Sequence, residues 1–202
     1  MSHFSNMKFL TPRLCTNLCG AVAVAGLCLS TTAARDLEPS RFGAPTAEVT
    51  IVEYFDYDCP YCKKLGPALR DLPARDPGIA VVYKEWPILS DVSEYAARAA
   101  LAAKWQRKYR VVHDALLDGP RRSNDEAVDA VVVRAGIDIV KLKHDEARYA
   151  KELNSELARN KTEAHEIGIR GTPGIVINGR LASGVIDMDG LKRSIAEARA
   201  AR

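Results

Sequence analysis

The 202-residue chain lacks a surplus of either charge, a long apolar run and a set of widely spaced cysteines. Each lack excludes a class of protein. Lys plus Arg number 29 against 26 Asp plus Glu, a net charge of +3. So balanced a chain does not bind nucleic acid through a basic surface. A membrane-spanning helix needs roughly 20 apolar residues, and the apolar run at 19–29 is about half that. Aromatic residues are few, at 6%, and no repeat or low-complexity tract interrupts the chain. What remains is ordinary globular composition, 47% apolar and 27% charged, enough for one real hydrophobic core.

The shortened apolar run has a context. Residues 1–34 hold Lys8 and Arg13 and no acid, then the apolar stretch, then the small residues Ser30, Thr32 and Ala34 before Arg35 and Asp36. A basic start, an apolar centre and a small-residue exit predict a secretory signal peptide cleaved near Ala34. An uncleaved N-terminal anchor is the alternative. Both leader bases leave with it, so the mature chain is close to neutral.

Five cysteines are present, and Cys15, Cys19 and Cys28 fall in the leader. The exported part keeps Cys59 and Cys62, spaced as Cys-Pro-Tyr-Cys. A loop this small contributes little loop-closure entropy as a disulfide, so the pair reads as chemistry rather than staple. A zinc half-site and an inert short-loop disulfide are the competing readings. Closed zinc sites need four ligands; the mature chain has no second pair, and His113, His144 and His165 are scattered.

Residues 35–48, broken by Pro39, Gly43 and Pro45, read as a linker, and 49–202 as the folded domain. The β-branched and aromatic runs 49–55 and 79–86 predict strands, with a helix over 63–72 between them, kinked at Pro67. From about 90 to 167 the pattern is helical, with Ala96, Ala99, Ala100 and Ala103 on one face. Asn124 or Ser123 and Asp138 are candidate caps. Residues 174–178, the Asn178-Gly179 turn and 181–185 predict a hairpin, and Asp189 a capped helix over 190–200. The class is α/β.

A cysteine pair at i and i+3 on a helix start places the first sulfur near unpaired N–H groups and the positive helix end. Pro60 suits the first helical position. Cys59 is thus the candidate nucleophile and Cys62 the resolving thiol. Asp56 and Asp58 would raise the thiol pKa against the helix dipole.

The run Phe55-Asp-Tyr-Asp-Cys-Pro-Tyr-Cys62 after a strand, with Gly171-Thr-Pro-Gly174 before another, resembles the thioredoxin fold. The long helical insertion is similar to the DsbA-like exported thiol–disulfide oxidoreductases. The stretches 52–55, 86–89, 96–103, 113–117 and 167–173 resemble the Com1/ScsC-like branch, and the likeness covers roughly 45–202. It implies an α/β thioredoxin fold with a helical subdomain inserted over about 90–167. It implies a cis-Pro173 beside the cysteines, with Thr172 and Pro173 meeting substrate and Tyr61 tuning potential and contact. Glu53 matches the family's buried acid; the alternative is a strand-edge Glu facing water. Lys84 is its candidate partner. His113 and His165 read as surface or packing residues. Gly174 stands where this branch often carries a side chain, which would loosen the substrate groove.

The expected function is a periplasmic dithiol oxidase without metal or organic cofactor, probed against three alternatives. These are a reductase or isomerase kept reduced, a non-catalytic thioredoxin-fold binding or chaperone module, and a structural envelope protein. The expected partners are unfolded or cysteine-containing exported proteins and a membrane redox protein that resets the pair, with no nucleic acid and a monomeric state.

Overall fold

The computed structural model describes residues 40–182 and 187–201. The signal-peptide expectation for 1–34 lies outside them. A five-stranded sheet runs in the order β1-β3-β2-β4-β5. Its centre is β2 (Val49–Phe55) paired in parallel with β3 (Ile79–Glu85), Val49 opposite Ile79 and Phe55 opposite Glu85. The parallel pairing requires a crossover, which α1 (Pro60–Arg75) supplies. Strand β4 (Gly174–Ile177) runs antiparallel along the other side of β2. Val49, Ile51 and Phe55 carry no exposed surface, and nor do Ala80 and Val81 of β3. Burial of this kind explains why these strands read as near-continuous apolar runs.

Strand β1 (Ser40–Phe42) corrects one expectation. It lies inside the stretch read as linker and pairs antiparallel with β3, Ser40 opposite Tyr83. Three residues are too few to show a period. What holds them is distant: the Phe42 ring stacks on Tyr109 at 6.2 Å and tilts against Tyr83 at 5.7 Å. The hairpin to β5 (Arg180–Leu181) turns at Asn178 and Gly179, both with positive φ (47° and 80°), as a tight two-residue turn needs. Of the expected partner strand 181–185, only Leu181 is strand; residues 183–186 lie outside the described residues.

Between β3 and β4 the chain is helical: α2 (Asp91–Ala102), a 3-10 turn (Ala103–Gln106), α3 (Tyr109–Leu117), α4 (Asp125–Arg134), α5 (Ile139–Arg148) and α6 (Ala150–Ile167). Ala96, Ala99, Ala100 and Ala103 are buried against this group. Ser90 closes a capping box with Ser93, Asn124 caps α4 and Asp138 caps α5. Helix α7 (Met188–Ala200) starts earlier than expected, because Asp187 rather than Asp189 accepts the Gly190 N–H, at 2.7 Å. That start turns Leu191 and Ile195 into the core.

Helix α1 packs on α3 at Gly66, where a Cβ would stand 2.4 Å from Leu117 Cδ2. Two prolines, Pro67 and Pro73, lie within α1. Among the described residues no helix is long and apolar enough to cross a membrane, and no three His, Cys, Asp or Glu side chains gather as a metal site.

Candidate active site

Cys59 is the N-cap of α1, with extended backbone (φ −74°, ψ 118°), and Pro60 begins the helix. The Cys59 N–H donates to the Asp56 carbonyl at 3.1 Å, closing a turn over 56–59. The Cys62 N–H donates to Cys59 Sγ at 3.4 Å, so a helix-end donor that would otherwise lack a partner meets the sulfur. Cys59 Sγ also lies 3.2 Å from the Thr172 carbonyl. Both cysteines are free thiols. Cys59 keeps 3% of its surface and Cys62 none, so an incoming sulfur can meet only Cys59.

The two thiols are pushed apart in acidity. Cys59 is lowered from 9.0 to about 6. The largest cause is the hydrogen bond from Cys62, which outweighs burial. Thr172 and the backbone N–H groups of Cys62 and Tyr61 add to it. Cys62 is driven far up, first by burial, then by its bond to Cys59 and the charge of Glu53. One sulfur is therefore a ready thiolate near neutrality, and its neighbour holds its proton.

Glu53 lies on β2 with no exposed surface, and neither carboxyl oxygen has a hydrogen-bond partner. Burial, then the charge of Cys59, raise it from 4.5 to about 8. The expected Lys84 partnership fails, and the reason is alternation. Glu53 is in register with Tyr83, and Lys84 with Tyr54, so Glu53 and Lys84 face opposite sides of the sheet. Lys84 instead pairs with Glu163 of α6 and lies over the Tyr54 ring.

The Thr172–Pro173 bond is cis. A groove of about 370 Å³ opens beside it, lined by Tyr61, Ile169, Thr172, Pro173, Ile175 and Leu181 among others. Tyr61 is 56% exposed there. Gly174 does not loosen this groove. A Cβ on it would stand 2.4 Å from Ile169 Cγ2, so Ile169 already fills that space. Gly174→Ala is expected to lower stability by about 1–3 kcal/mol through overpacking. The check is the urea midpoint. Ile169→Ala in the same chain should cost less than the two single effects together, since it removes the clashing atoms.

Asp56 and Asp58 have a different use from the one expected. Asp56 is buried, and its carboxylate accepts the N–H groups of Ile88 (2.7 Å), Leu89 (3.0 Å) and Asp58 (2.6 Å) and the Ser93 hydroxyl (2.9 Å). Asp58 accepts from the Ser90 hydroxyl and from Arg121 Nε at 3.1 Å. Between them Tyr57 Oη lies 3.1 Å from His113 Nδ1. Sequence reading missed Ser90, Arg121 and the Tyr57–His113 contact. An aspartate on each side of Tyr57 was the available signal, but its partners lie more than 30 residues away. His113 is a packing residue, wholly buried, and His165 sets its ring edge against Trp86 at 5.6 Å.

Known proteins with this architecture carry the reading further. A family model described as "DSBA-like thioredoxin domain" matches residues 50–196. A thioredoxin-like oxidoreductase from Silicibacter pomeroyi is 36% identical, with a TM-score of 0.75 over 81% of this chain and 94% of its own. The catalytic domain of Proteus mirabilis ScsC is 26% identical, with a TM-score of 0.70 over 83% of this chain and 92% of its own. Among curated sequences, a Na(+)/H(+) antiporter NhaA 3 of Salinispora tropica is 32% identical over 164 residues, 77% of this chain. The match spans only 24% of that much longer protein. The fold is thioredoxin-like, with the helices of α2 to α6 inserted between β3 and β4.

Proposed function

Because the chain belongs to the DSBA-like thioredoxin domain family, we propose that it is an exported thiol:disulfide oxidoreductase acting as a dithiol oxidase through Cys59 and Cys62. The observation that carries this is the split between the two thiols. Cys59, lowered to about 6, keeps a small exposed edge, while Cys62 has none and holds its proton. A thiol of low pKa leaves readily from a mixed disulfide, and a stabilised reduced form makes the disulfide a strong oxidant.

In the oxidising direction a client thiolate attacks Cys59 Sγ of the Cys59–Cys62 disulfide. The bond between the two cysteines breaks, a client–Cys59 mixed disulfide forms, and the electron pair leaves on Cys62. Glu53 interacts electrostatically with both sulfurs and is neutral at pH 7, so it can give the Cys62 sulfur a proton. A second client thiolate then attacks the client sulfur of the mixed disulfide and Cys59 departs as thiolate. The client has lost two electrons and the pair has gained them. Thr172 and Pro173 form the wall against which an extended client lies, with Tyr61 at its rim. The clients are unfolded or cysteine-containing exported proteins, and a membrane redox protein reoxidises the pair. The periplasm is the compartment in which such disulfides persist. The protein works as a monomer.

The test is the equilibrium reduction potential of residues 35–202 in glutathione buffers. The expected value lies nearer the about −120 mV of a strong oxidant than the about −270 mV of a thioredoxin-like reductant. A value at the lower end would overturn the oxidase direction in favour of a reductase. Absence of a reversible couple would replace the enzyme with a binding module.

A further inference from the structure

His113 sits in an aromatic box at the centre of the molecule. Its ring is 4.2 Å from Tyr83, 4.9 Å edge-on from Phe55 and 5.6 Å stacked on Tyr109. Burial, with the charges of Arg110 and Arg70, lowers its pKa to about 3, so the ring is neutral at any working pH. A neutral imidazole has one donor and one acceptor nitrogen. Nδ1 meets Tyr57 Oη at 3.1 Å, and Nε2 is buried with no hydrogen-bond partner. An unsatisfied buried polar atom costs stability. A phenyl ring would fill the same box without that cost. The single polar service that the imidazole performs is the bond to Tyr57.

Tyr57 is the second residue of the turn closed by Cys59 N–H and the Asp56 carbonyl. Where that turn stands decides where Cys59 Sγ stands relative to the Cys62 N–H that donates to it. Its neighbours Asp56 and Asp58 are tied to the start of α2 and to Arg121. Tyr57 alone of the three is tied to α3. We infer that His113 is a positioning residue for the cysteine pair: through Tyr57 it fixes the turn that carries Cys59, and so the hydrogen bonds that hold the Cys59 thiolate. The role matters for catalysis only if the pair exchanges disulfides, as proposed above, but the geometry can be tested on the thiol itself.

The experiment titrates the Cys59 thiolate by its ultraviolet absorbance in the reduced protein, for the native chain and for His113→Phe, Tyr57→Phe and the double variant. Each single change removes the bond and keeps a ring. At pH 6 to 7 each should lower the thiolate-to-thiol ratio about tenfold, one pH unit in the midpoint. The double variant should lose no more than either single, because both break one bond. His113→Asn, which sets an amide atom near the position of Nδ1, should restore part of the native profile. Superimposable profiles, or single effects that add in the double, would overturn the inference. If His113→Phe does not fold, Tyr57→Phe still reports the bond from its other end. A native chain with no reversible couple would sink the exchange reading alone, since the thiolate titration does not depend on turnover.

Discussion

A Cys62→Ser variant will accumulate as a mixed disulfide with whatever disulfide it meets. Cys59 stays at the helix start with its backbone donors, and the serine hydroxyl can still donate to its sulfur. The thiolate attacks a disulfide, one client sulfur bonds to Cys59, and the other leaves as thiolate. In the native chain the Cys62 sulfur, one helical turn away, then displaces the client and closes the Cys59–Cys62 bond. That step is intramolecular, and effective concentrations of well-placed groups reach about 10⁵ M or more. Without it only an outside thiol can release the adduct. Its lifetime should lengthen by at least about 10²-fold at millimolar thiol, on the same argument. Intact mass of residues 35–202 after exposure to glutathione disulfide should show one adduct per chain, at Cys59. Cys59→Ser should show none, because the remaining Cys62 sulfur has no exposed surface. Equal labelling of the two variants would remove the asymmetry on which the proposed chemistry depends.

Glu53→Gln should make the protein more stable, and more so at higher pH. The carboxyl goes from 4.5 to about 8 on folding, chiefly because burial excludes its charged form. Between those two values the folded chain holds a proton that the unfolded chain has released. Stability falls as pH rises wherever the folded state binds more protons. The contribution is therefore intact below about pH 4.5, declines through the window and is fully lost above about pH 8. At about 1.4 kcal/mol per pH unit, the loss approaches about 5 kcal/mol, a large share of an ordinary domain's stability. Glutamine does not titrate, so its gain should be near zero at pH 4.5 and several kcal/mol at pH 8. Urea midpoints at the two pH values measure it. Glu85, buried and raised to about 7, adds a slope of the same sign, while His113, lowered to about 3, and Cys59, lowered to about 6, add slopes of the opposite sign; all three are common to both chains, so the difference between the two curves reports Glu53. A variant slope as steep as the native one would show that Glu53 is not the titrating group. Gln also has no proton to give Cys62. Disulfide exchange should therefore slow about 10²-fold near neutrality, the scale of a lost general acid.

The strands on either side of α1 were legible because both faces of β2 and β3 are buried, and that leaves an uninterrupted β-branched run. The cysteine pair was legible because its chemistry is local: four consecutive residues on a helix start make the donor geometry. What escaped was non-local. Strand β1 is a strand only because Tyr83 and Tyr109, some 40 to 70 residues on, give Phe42 somewhere to pack. The Lys84 error was avoidable, since register and alternation put Lys84 beside Tyr54 and away from Glu53. The choice between Asp187 and Asp189 was not. Both precede Gly190 and the Leu191–Ile195 spacing, and the core decides which turn comes first. His113 was half legible: Tyr109, Leu116 and Leu117 at i−4, i+3 and i+4 set it on the apolar face of α3, but nothing local names Tyr57 as its partner.

The sheet ends, among the described residues, in the three-residue β1 on one side and the two-residue β5 on the other. Long, flat, open edges are templates on which foreign chains add strands and aggregate. A protein whose proposed clients are unfolded chains meets such strands constantly. Edges this brief leave an unfolded client few consecutive amide groups to zip onto. In the proposed function such a client is held at the Thr172–Pro173 wall instead, and only for as long as its sulfur bond to Cys59 lasts.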